Sequence, residues 1–119
     1  MSAVAHDFPD DSDGDALRRL VESGADLTVP MKVDFQVAML DDASSKELAK
    51  LASKYGYRCA VYPNEVSSGW TCECSTRMLV TYEALLAIQG ELAHLSRRFG
   101  GKPDGWGTFG NVPPDVASE

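Results

Sequence analysis

The sequence is short of positive charge. Eleven lysines and arginines stand against eighteen aspartates and glutamates in 119 residues, a net charge of −7. Affinity for a phosphate backbone comes from Lys and Arg, so this balance argues against direct nucleic-acid binding. Long apolar runs are missing too, and no stretch approaches the roughly 20 apolar residues of a membrane-spanning helix. Met1 to Asp7 contains neither a basic segment nor an apolar one, so no secretory signal is read there and a cytoplasmic protein is the expectation.

Reactive groups are few: three cysteines and two histidines. A structural zinc site normally takes four ligands with C-x₂₋₄-C spacing, which Cys72-x-Cys74 and a distant Cys59 do not supply. Cys72 and Cys74 point the same way from one strand, roughly 6–7 Å apart by strand rise, too far for an unstrained disulfide. All three cysteines are read as reduced thiols serving as small core hydrophobes. His6 falls in a polar leader and His94 one position off an apolar helical stripe. No nucleophile elbow, glycine-rich phosphate loop or His-Glu zinc helix occurs in the sequence. Asp41 and Asp42 are read as helix caps, not as an acid–base pair. The expectation is a binding protein that is not an enzyme, with no metal and no cofactor.

The acidic charge is unevenly placed. Residues 1–30 hold seven carboxylates against Arg18 and Arg19, net −5, and the remaining 89 residues carry net −2. Such charge serves solubility and also favours partners with basic surfaces. Residues 1–13 read as an acidic, disordered leader, 14–110 as one folded domain, and 111–119 as a frayed, Pro-rich tail.

Within the domain, Asp13 or Asp15 can cap a short helix carrying Leu17, Leu20 and Val21, which Gly24 ends. Met31 to Met39 alternates strictly, with every odd position apolar, and predicts a central strand with one buried face. Asp41, Asp42 and Ser44 offer caps, and Ser44-x-x-Glu47 fits a capping box, for a helix carrying Leu48, Leu51, Ala52 and Tyr55. Strands follow at Tyr57 to Tyr62, closed by Pro63, and at Trp70 to Ser75. Leu85, Ile88, Leu92, Leu95 and Phe99 then step by three and four along a final helix from about Thr81 to Phe99. Gly90 in its middle predicts a close packing contact. After the first helix the order is βαββαβ, an α+β ferredoxin-like fold, with two helices on one face of a four-stranded antiparallel sheet ordered 4-1-3-2. The expected core comprises Val33, Phe35, Val37, Trp70, Cys72 and Cys74.

Asp104-Gly105-Trp106-Gly107-Thr108-Phe109 is the most distinctive stretch. Its glycines and aspartate predict a structured turn, with a short strand starting at Thr108 and Phe109. Trp106 is read first as a pin holding that strand to the sheet, and second as a contact for a partner. Asp-Gly-Trp-Gly-Thr, following a long helix that ends in Phe99-Gly100-Gly101, resembles the signature of the regulator of ribonuclease E activity B family. Patterning over roughly residues 14–110, with Gly24-x-Asp26, Trp70 and Gly101, supports the resemblance.

The resemblance implies a non-catalytic protein that binds and inhibits the bacterial endoribonuclease E by protein–protein contact, without chemistry on RNA. It names Asp104, Gly105, Trp106, Gly107 and Thr108 as the family signature. Better-known members carry a long acidic C-terminal tail, whereas here only Asp115 and Glu119 follow Phe109, and the acids cluster at Asp7, Asp10, Asp11, Asp13 and Asp15. The open sheet face, with Asp34, Gln36 and Glu73, joins Trp106 as a candidate partner contact. That face, formed by Lys32, Asp34, Gln36, Ala38, Thr71 and Glu73, offers no aromatic platform for stacking bases, which argues against an RNA-recognition module of the same topology. The predicted partner is a ribonuclease or another basic protein. The alternative is a stand-alone interaction domain of another kind, such as an immunity-type protein neutralising a toxin.

Overall fold

The strand Met31–Met39 (β1) organises the molecule, as its alternation predicts. Met31, Val33, Phe35, Val37 and Met39 are all buried on one face. The structure is a computed structural model that describes residues 8–66 and 68–111. The start of the acidic leader and the Pro-rich tail from residue 112 lie outside those residues. Among them no helix is long and apolar enough to cross a membrane.

Along the chain, α1 (Ser12–Glu22) precedes β1. Then come α2 (Asp42–Ser53), β2 (Arg58–Asn64), β3 (Gly69–Met78), α3 (Tyr82–Arg97) and β4 (Lys102–Gly107). The strands form one sheet in the order β2-β3-β1-β4, every neighbouring pair antiparallel. This is the expected α+β architecture and strand order. The helix α1 is an addition at the front, so the complete order is not strictly ferredoxin-like.

Helix α2 packs on β2 and β3, α3 on β1 and β4, and α1 on α3. Leu48 and Ala52 from α2, Leu85, Leu92 and Leu95 from α3, and Leu17 from α1 meet the buried face of β1 together with Cys72 and Cys74 of β3. Trp70, expected in this core, is half-buried at the end of β3. Burying each leucine, valine, methionine or phenylalanine of this core contributes roughly 1.5–3 kcal/mol.

Several local expectations are corrected. Helix α1 is capped by Asp11, not by Asp13 or Asp15, and the Asp11 carboxylate accepts from Gly14 N–H at 2.8 Å. Gly14 is required there, because a Cβ would lie 1.8 Å from the Pro9 carbonyl oxygen. The capping box at Ser44 does not form: Asp41 caps α2, and Ser44 N–H donates to it. Helix α2 ends at Ser53, so Tyr55 lies beyond it and is exposed. Pro63 lies within edge strand β2, where a missing N–H is tolerated, and β3 extends to Met78. A Cβ at Gly90 would meet nothing within 4 Å, so the predicted close contact is absent. Asn111, assigned to the tail, is fixed: its amide donates to the Asp26 carbonyl, and its oxygen accepts from Asp26 N–H.

Candidate functional site

The signature stretch is a strand and not a turn before one. Residues 102–107 form edge strand β4, while Thr108 and Phe109 follow it, and Phe109 is 95% exposed. Asp-Gly is turn chemistry because glycine takes positive φ easily, and a β-bulge uses the same conformation. Val37 pairs with Pro103 and Phe35 with Trp106, so β4 spends one more residue than β1 over the same span. Gly105, with φ of 107°, takes that strain. The bulge brings Trp106 opposite Phe35, on the face that the helices cover.

There the half-buried indole Nε1–H donates to the Asp13 carboxylate at 2.9 Å. Asp13 lies in α1, and its other oxygen accepts from Gln89 of α3 at 3.3 Å. Tyr82 of α3 donates to Asp11. Trp106 is thus tied to the N-terminal helix as well as to the sheet. Thr108 adds one more tie, its hydroxyl donating to the Lys32 carbonyl at 2.6 Å. Gly107 is held by neither strain nor crowding: its φ is ordinary, and a Cβ there would meet nothing within 4 Å.

Asp34, Gln36 and Glu73 come together on the opposite face, as the alternation of β1 and β3 requires. Gln36 pairs with Glu73, and Asp34 pairs with Ser75. Asp34 is buried, accepting from Ser75 Oγ–H at 2.6 Å and from Lys32 Nζ at 3.2 Å on one oxygen. Glu73 accepts from Tyr62 OH at 2.7 Å, reaching across from β2. Burial and the Glu73 carboxylate push the Tyr62 phenol up to about 12. The open face is therefore a polar network three strands wide. Gln36, Glu73 and Tyr62 present surface, and Asp34 serves as its buried anchor. Trp106 does not join them.

Beside this network Lys32, Arg58 and Arg77 line a cleft of about 320 Å³ with Gly56, Ser75 and Thr76. Tyr62, Arg58 and Arg77 extend the expected open face of Lys32, Asp34, Gln36, Ala38, Thr71 and Glu73, and the signal for them is the same alternation, counted from Ala60 and Glu73. The link between Asp13 and Trp106 spans 93 residues and carries no sequence signal.

The three thiols also meet, on the covered face. Cys59 pairs with Cys74 across β2 and β3, while Cys72 lies two residues away on the same side. The Cys59–Cys74 and Cys72–Cys74 sulfurs are each 3.9 Å apart, and all three fall within 4.8 Å of one another. Cys72 and Cys74 are buried and Cys59 is half-exposed at the edge strand. The neighbouring thiols, Cys72 first, hold Cys59 well below the usual thiol range. Cys72 and Cys74 are pushed up, by the neighbouring sulfurs and by burial. The expectation of small core thiols describes Cys72 and Cys74. It did not anticipate three sulfurs sharing one spot.

The family described as Regulator of ribonuclease activity B (RraB) matches residues 10–108, which spans every element from α1 to β4. No curated relative matches the chain. With the family matched across nearly the whole described domain, the chain belongs to the regulators of ribonuclease activity B.

Proposed function

We propose that this protein binds a ribonuclease directly and lowers its activity, acting in the cytoplasm through protein–protein contact and without a reaction of its own. The family match over residues 10–108 carries this reading. The fold is in keeping with it, because helices cover one sheet face and leave the other as a polar surface. On that surface Gln36, Glu73 and Tyr62 surround a satisfied carboxylate. Those groups are the proposed contact, and the acids of α1 and the segment before it supply long-range attraction to a basic partner. Gly105 and Trp106 of the signature serve the proposal indirectly, by fixing β4 and its tryptophan beneath the contact face.

A pull-down of purified endoribonuclease E by the full chain tests the reading. Retention at low salt that declines above roughly 0.15 M, where charges are screened within about 8 Å, is the expected result. Slower cleavage of an RNA substrate should accompany it. No retention at low salt would overturn the proposal. Retention of RNA alone, in a parallel filter assay, would shift the target to nucleic acid and overturn it equally.

A further inference from the structure

Every cysteine in the sequence reaches the same place. The chain has three, separated by as many as 15 positions, and their sulfurs all lie within 4.8 Å of one another. Core filling alone asks only for small apolar groups, and alanine or valine would serve it without bringing three sulfurs into contact. The antiparallel register of β2 and β3 places Cys59 directly opposite Cys74. The two-residue repeat of β3 puts Cys72 on the same face, next to Val61.

We propose that Cys59, Cys72 and Cys74 form a binding site for a thiophilic d¹⁰ cation, Cu⁺ or Zn²⁺. Metal–sulfur bonds of about 2.3 Å place sulfurs roughly 3.8 Å apart in a tetrahedral centre and roughly 4.0 Å apart in a trigonal one. Two of the three sulfur pairs already stand at 3.9 Å. An all-sulfur donor set selects soft ions over magnesium, calcium or manganese. Among the described residues no histidine or carboxylate joins the cluster, so these residues supply three ligands. Three-fold coordination suits Cu⁺. Zn²⁺ would need a water molecule or small thiol as its fourth ligand, entering past the half-exposed Cys59. Binding forms three metal–sulfur bonds to thiolates and releases to solvent the protons of those thiols that still carry one, with no change of oxidation state.

The site lies between β2, β3 and the helix α2 that packs on both, away from the open sheet face. A bound ion would cross-link edge strand β2 to β3. It neither requires nor opposes the ribonuclease reading, and its test is separate.

The reduced full-length chain is titrated with Cu⁺ against a chromophoric Cu⁺ chelator, and with Zn²⁺ against a chromophoric Zn²⁺ chelator. Thiol alkylation is followed by mass spectrometry in parallel. Expected are one equivalent bound, a thiolate-to-metal absorption band and slower alkylation of Cys59. The tighter ion names the physiological class. Cys59→Ser, at a half-exposed edge position, should fold and lose more than the roughly 10–100-fold that even an outer hydrogen-bond partner of a ligand is worth. Competition by neither ion, or affinity unchanged in Cys59→Ser with alkylation unprotected, would overturn the site.

Discussion

At Trp106 a single N–H reaches an aspartate 93 residues away, and what it holds is the N-terminal helix. Trp106→Phe keeps the ring opposite Phe35 and removes that donor, while the bond from Gln89 to Asp13 remains. A hydrogen bond to a charged acceptor is worth about 1.5–3 kcal/mol when buried, and this half-buried one about 1–2 kcal/mol. The expected result is a lower urea midpoint, with amide exchange in α1 accelerated more than in β1. Gly105→Ala acts on the backbone instead. Its φ of 107° is forbidding to a side chain although the space around it is empty. A loss of about 1–2 kcal/mol is expected, read from the same denaturation curve. Cys59 teaches a related lesson about legibility. Alternation along β3 fixes Cys72 and Cys74, but Cys59 reaches them only through the β2–β3 register, and no local pattern specifies that.

Elements were more legible than their ends. The alternation of β1 and the stripe of α3 follow from repeats of 2 and 3.6 and survive in the structure. Caps were ambiguous because several aspartates and serines stand near each helix start, and any of them has the chemistry. Strand β4, expected to start at Thr108, spans Lys102–Gly107 instead, and for a sharper reason: Asp-Gly announces positive φ without saying whether the chain turns or bulges there. The caps that do form make an acid-stability prediction. Tyr82 O–H and then Gly14 N–H hold the Asp11 carboxyl below its ordinary value of 3.8, and Ser44 does the same for Asp41. The unfolded chain therefore binds protons at a higher pH than the folded one. This contribution is fully present above the ordinary value and is lost as pH falls through the lowered ones. The urea midpoint should hold steady down to about pH 5 and fall below about pH 4. Asp11→Asn combined with Asp41→Asn should flatten that acid limb.

For the molecule as a whole, the sheet divides two tasks between its faces. One face carries the helices, the core and the thiols. The other carries the Tyr62–Glu73 and Lys32–Asp34–Ser75 contacts, with a basic cleft at one corner of a net-acidic chain. Glu73→Gln removes one charge from the proposed contact face while keeping an acceptor for Tyr62. Binding to the ribonuclease should weaken about tenfold, on the order of 1.4 kcal/mol, and depend less on salt. The urea midpoint should move by no more than about 0.5 kcal/mol, as for other substitutions outside the core. A large loss of stability with unchanged affinity would place the contact elsewhere.

The extra residue in β4 has an unusual corollary for deletion. Val37 with Pro103 and Phe35 with Trp106 are fixed points, and the ladder between them is out of step by one. Excising Gly105 puts it back in step and leaves the indole facing inward, whereas a bulky replacement at the same position invites the strand to slip and swing the indole outward beside Asp34. Shortening the signature should therefore be gentler on the fold than rewriting it.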